Sequence, residues 1–191
     1  MNEINSNRKQ TFAPSVVISG MSPAVDSGRH PVKRVVNQAL DVEVDVFKDG
    51  HDLIDVALLW RKAGEETWNE VKMRPSENDR WAASVHFETP GRYEYSVAGW
   101  PELFETWKVE FIKKYDARQE DLSVEIAEAA LLVRGAARRA RRGGDDEVAK
   151  ELVRMAELLP TLSVTDVREL LCAESVGSVM NTWADRDLMT I

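Results

Sequence analysis

The chain is 191 residues long with a formal net charge of −8; 43% of its residues are hydrophobic and 30% charged. A chain of this length buries a core without covalent staples, and this composition excludes wholesale disorder. The acidic balance excludes general attraction to nucleic acid or to an anionic membrane surface. No run of about 18 apolar residues occurs, so no membrane-spanning helix is expected. The single cysteine, Cys172, excludes an intramolecular disulfide and points to a cytoplasmic setting.

Residues 1–13 carry no periodicity and read as a flexible tail. Residues 14–115 read as β structure. Ser15–Ser19 is a short apolar run. Leu40, Val42, Val44 and Val46 then alternate with Asp41, Glu43 and Asp45, the period of a strand with one buried and one wet face. Further strands are expected at Val56–Trp60, Trp68–Met73, Trp81–Phe87 and Tyr93–Val97, with a last one at Phe104–Phe111. Turn signals separate them at Lys48–Asp52, Ala63-Gly64, Asn78-Asp79 and Pro90-Gly91. Short strands with turns at such spacing predict an antiparallel, immunoglobulin-like sandwich rather than βαβ units.

Residues 116–191 change to helical spacing and read as a small helical bundle. Ile126, Ala130, Leu131, Val133 and Ala137 mark a first stripe, ended by Gly143-Gly144. Asp145 and Asp146 open a second helix at its electropositive end. Val148, Leu152, Met155 and Leu159 share one of its faces, and Pro160 stops it. Ser163 with Asp166 forms a capping box for a third helix, and Gly177 is expected to break or kink the remainder. Residues 1–115 hold 15 basic and 18 acidic side chains, a net of −3, and residues 116–191 hold 10 and 15, a net of −5. Neither part carries an electrostatic footprint for nucleic acid.

Catalytic signals are sparse. His30, His51 and His86 stand in no metal-ligand spacing, so no metal site is expected, and no phosphate-binding or cofactor motif occurs, so no cofactor is expected. Asp41, Glu43 and Asp45 lie along one strand, whereas glycoside chemistry needs carboxylates opposed across a cleft. Asp49-Gly50-His51-Asp52 resembles part of a calcium loop but lacks its spacing and terminal glutamate. Arg134, Arg138, Arg139, Arg141 and Arg142 complement the end of a helix dipole. Cys172 reads as a buried, inert thiol beside Leu170 and Leu171. The tryptophans stand out: Trp60, Trp68, Trp81, Trp100 and Trp107 all fall in the β region. Flat aromatic faces stack on sugar rings, so Trp100 and Trp107 are candidate glucan-binding residues; core or interface is the competing reading.

Five blocks in register carry a family resemblance: Arg29-His30-Pro31-Val32-Lys33-Arg34; Asp45 to Asp52; Asn78-Asp79-Arg80-Trp81; Gly91-Arg92-Tyr93-Glu94-Tyr95 with Trp100; and Phe104-Glu105-Thr106-Trp107. Together they resemble the N-terminal region of bacterial α-1,4-glucan:maltose-1-phosphate maltosyltransferases, amylase-like members of glycoside hydrolase family 13. The resemblance implies a parent enzyme that moves maltosyl units from maltose 1-phosphate to the non-reducing ends of α-1,4-glucans. It also implies retention of configuration through a covalent aspartate intermediate, with a glutamate as acid and base. In that family the sandwich and helical bundle shape a homodimer interface and flank a catalytic (β/α)8 barrel. Such a barrel needs roughly 200–250 residues, and none of its motifs matches here, so no catalytic residue is assigned. The expectation is therefore a non-catalytic portion of such an enzyme, whose sandwich is missing a final strand supplied after the helical segment and so has an exposed edge. An autonomous α-glucan-binding module is the alternative.

Overall fold

The computed structural model describes residues 16–191; the tail expected over residues 1–13 lies outside them. Seven strands come first: β1 (Val17–Ser22), β2 (Ala39–Phe47), β3 (Ile54–Lys62), β4 (Asn69–Lys72), β5 (Arg74–Pro75), β6 (Arg80–His86) and β7 (Tyr93–Pro101). They form two antiparallel sheets, ordered β1-β2-β6-β5 and β4-β3-β7. The alternation read in β2 is the pleat itself. Leu40, Val42, Val44 and Val46 are buried and share one core with Val56, Leu58 and Val97 of the other sheet. The wet face forms a cross-strand ladder in which Arg80 bonds Asp45 and Glu43, and Ser84 bonds Asp41.

Five α-helices follow: α1 (Leu103–Asp116), α2 (Ser123–Arg142), α3 (Asp146–Leu158), α4 (Val164–Leu171) and α5 (Glu174–Thr182), with a 3-10 turn at Leu159–Thr161 after α3. The strand expected at Phe104–Phe111 is instead most of α1. Its sequence supports both periods, because Trp107, Val109 and Phe111 alternate with Lys108 and Glu110. The decisive spacing is Phe104, Trp107, Phe111, which places three rings on one helical face. Those rings stack with centroids 5.8 and 4.9 Å apart and lie in the helical core, while Val109 is exposed.

Helix α2 presents a face of small residues, among them Ala129, Ala136 and Ala140, all fully buried. Small side chains let α3 approach closely. Leu131, expected on this stripe, is 64% exposed instead, because its position turns away from the Ile126–Ala130–Val133 line. The expected stop at Gly143-Gly144 holds. Gly144 takes the left-handed φ of +88°, and a Cβ on Gly143 would lie 2.5 Å from the Trp183 ring. Asp145 caps α3 through Val148 N–H, and Ser163 caps α4 through Asp166 N–H. Helix α5 runs through Gly177 without the expected break; a Cβ there would sit 3.6 Å from the Glu105 carboxylate of α1.

After α5 the chain returns to the sheet. Arg139 of α2 holds this return by donating to Trp183 O at 2.7 Å and to Asp185 at 3.0 Å. Arg186 makes a two-pronged ion pair with Glu70 of β4 and lies 4.0 Å above the Trp100 ring. Thr190 then exchanges two 2.9 Å backbone hydrogen bonds with Gly99 on β7. The segment after α5 therefore meets the β7 edge at one antiparallel step. No helix among the described residues is long and apolar enough to cross a membrane.

Candidate functional site

Polar side chains collect where the strands meet the helices. The Lys48–Leu53 loop joins β2 to β3, and Glu102 alone separates β7 from α1. Between them opens a cleft of about 680 Å³, walled by Trp81 and Met73 on the sheet side and by Glu105 and Asn181 on the helix side. The Lys48 stem is folded inward with its ammonium on Asp52. Asp55 and Glu102 are each only 5% exposed, which is costly for a carboxylate unless it is paired. Asp55 is paired: Lys72 lies 2.7 Å away, and Asn181 of α5 donates to it at 3.1 Å.

Glu102 is the N-cap of α1, its carboxylate accepting from Glu105 N–H. Its own N–H donates to Leu53 O at 2.8 Å. The Thr106 hydroxyl donates to Glu102 O at 2.7 Å and accepts from Leu53 N–H at 2.8 Å. Loop, strand end and helix start are thus stitched at one residue. Burial pushes the Glu102 carboxyl above the ordinary carboxylate range, against the lowering effect of the Glu105 N–H. Further along the same face of the sheet, hydrogen bonds from Arg186 hold Glu70 below its ordinary value.

The residues singled out in the sequence are dispersed. Trp100 is 2% and Trp107 7% exposed. Trp100 lies under Arg186; Trp107 stacks between Phe104 and Phe111 and donates from Nε1 to Glu125 O at 2.9 Å. Neither offers an open ring face. Trp81 is buried with its Nε1 on Val46 O, and Trp60 joins Phe87 and Tyr93 in an aromatic cluster. Trp68 is exposed, with Arg61 over its ring at 4.3 Å. His51 lies in the exposed Lys48–Leu53 loop, and His30 is 3.9 Å from Asp26. Among the described residues no group of three His, Cys, Asp or Glu side chains could hold a metal. Of the arginine run, Arg139 turns inward to Asp185, while Arg134, Arg138 and Arg142 are exposed. Cys172, expected to be buried, is half-buried at the end of α4.

Comparison with known proteins gives the same answer along nearly the whole chain. The family described as alpha-1,4-glucan:maltose-1-phosphate maltosyltransferase, domain N/S, matches residues 14–191. The chain belongs to this family. The maltosyltransferase of Myxococcus xanthus is 40% identical over 178 residues, covering 91% of this chain and 27% of the relative. That of Chlorobaculum tepidum is 38% identical over 176 residues, covering 92% and 26%. The chain corresponds to the N-terminal region of these proteins and spans about a quarter of their length.

Three of the five family blocks fall on the two sides of the cleft. Asp45 to Asp52 supplies its loop, Asn78 to Trp81 its sheet wall, and Phe104 to Trp107 the first turns of α1. Sequence reasoning missed Asp55, Glu102, Asn181 and Arg186. Two signals were available. Asp55 interrupts the apolar run Leu53-Ile54-Asp55-Val56-Ala57, and Pro101-Glu102 precedes a run with helical period. Nothing local marks Asn181 or Arg186, whose partners lie more than a hundred residues away.

Proposed function

We propose that this chain is the non-catalytic N-terminal portion of a maltosyltransferase that extends α-1,4-glucans from maltose 1-phosphate, and that it works in the cytoplasm. Its tasks are to form the subunit contact of a homodimer and to brace the barrel that carries the catalysis. The observation that carries this reading is the match of residues 14–191 to a domain N/S that makes up about a quarter of each relative. In this reading residues 16–101 form an immunoglobulin-like sandwich and residues 103–182 a helical bundle. Glu102 is then the joint between them, in place of a boundary at residues 115 and 116.

The jointed construction suits a brace. The ties from Asp55 to Asn181, Arg186 to Glu70 and Thr190 to Gly99 fix the last helix of the bundle and the segment after it to the second sheet at three separate points. For self-association we favour the groove between α1 and α2. Leu103 and Leu131 line it, and Val124 and Leu131, both 64% exposed, lie seven residues apart on one side of α2. Exposed apolar surface of this kind marks an interaction face. Sedimentation velocity tests the reading. The expected result is a dimer that Leu131→Asp with Val124→Asp converts to a folded monomer. A native chain that stays monomeric at high concentration removes the dimer role.

A further inference from the structure

The two buried carboxylates of the cleft are not equivalently served. Asp55 has an ammonium and an amide donor within hydrogen-bond reach. Glu102 has one donor among the described residues, the backbone N–H of Glu105. The charges around Glu102 are mostly of its own sign. Its own helix contributes Glu105, itself bonded by Lys108. Strand β3 contributes Asp55, and β4 contributes Lys72, whose ammonium is on Asp55. The loop side contributes Lys48, committed to Asp52, and Asp79 precedes β6. Helix α5 contributes only the neutral Asn181. An ionised carboxyl here meets both desolvation and like charge.

Glu102 is also the mechanical link of the seam. Its N–H and C=O bind the Lys48–Leu53 loop and the first turn of α1, with Thr106 closing the circuit. We propose that Glu102 is a proton-operated tether between the sheets and the helices, tight when its carboxyl carries a proton and loosened when it ionises. Burial of the carboxyl to 5% exposure, beside Asp55 and with a single N–H donor, sets the sign, and the group is displaced upward accordingly. A group raised in the folded state adds stability that is fully present below its unfolded pKa. That stability is lost as pH rises through the folded pKa. The seam is therefore firmest in acid and relaxes toward neutrality. Glu70, displaced downward by Arg186, behaves in the opposite sense. The proposal rests on the seam alone and stands whether or not the maltosyltransferase reading holds.

The 191-residue chain tests it directly. Backbone NMR signals of Glu105 and Leu53 would be followed from pH 4 to pH 8, because the Glu105 N–H touches the carboxyl and Leu53 touches the tether. The expected result is a shared inflection above the ordinary carboxylate range, with faster amide exchange at Leu53 and Thr106 on its alkaline side after correction for intrinsic rates. Glu102→Gln, close in shape, should abolish both the inflection and the exchange step. Asp55→Asn should keep the inflection and move it to lower pH. An inflection within the ordinary range, one that survives Glu102→Gln, or exchange at Leu53 that is flat across it overturns the proposal.

Discussion

The two parts of this molecule bury their cores by different rules. The sheets use branched side chains on a strict period of two, and a charged residue stands between each pair of buried valines in β2. The helices use a column of aromatic rings on α1 and, on α2, a face of alanines that seats α3. One core is locked by register, because a one-residue slip would turn Asp41 or Glu43 inward. The other is locked by close approach, because the alanine face has no spare volume. The two should therefore fail differently when their side chains are changed.

The largest loss is expected in the aromatic column. Trp107→Ala removes two ring stacks and the hydrogen bond to Glu125, and should cost about 3–5 kcal/mol in urea denaturation. A cost below about 1 kcal/mol would mean that the column is not the spine of the helical core. Overpacking probes the alanine face. Ala136→Leu should cost about 1–3 kcal/mol, whereas Val124→Leu on the exposed side of the same helix should be near neutral.

Smaller effects test how the two cores are joined. Arg186→Ala should cost at most about 1 kcal/mol, since its pair with Glu70 is partly solvated. It should also flatten the acid side of the stability curve. Glu70 is lowered in the native fold, so its contribution is present above its unfolded pKa and lost as pH falls. The smallest effect is a null. Maltoheptaose at millimolar concentration should leave tryptophan emission unchanged, because Trp100 and Trp107 are covered. Quenching that disappears in Trp68→Ala would locate a sugar platform on the one tryptophan here shown to be exposed.

The same contrast explains what the sequence made legible. Alternation in β2 has one solution, since Asp41 and Glu43 cannot be buried unpaired. The stretch from Trp107 to Phe111 has two, and only Phe104 and the polar cap at Glu102 choose the helix. Caps at Asp145 and Ser163 were readable because they act within three residues. The seam was not, because Asp55 finds Asn181 and Glu70 finds Arg186 only after the chain has folded back on itself. The burial of Trp100 and Trp107 was not legible for a related reason: a residue type suited to a sugar face is equally suited to a core.

In the proposed function this region braces and assembles an enzyme without performing its chemistry. The most direct measurement is phosphate release when the purified 191-residue chain is incubated with maltose 1-phosphate and an α-1,4-glucan acceptor. The account predicts no release above the buffer control at any chain concentration. Release that scales with the chain and persists through purification would contradict it.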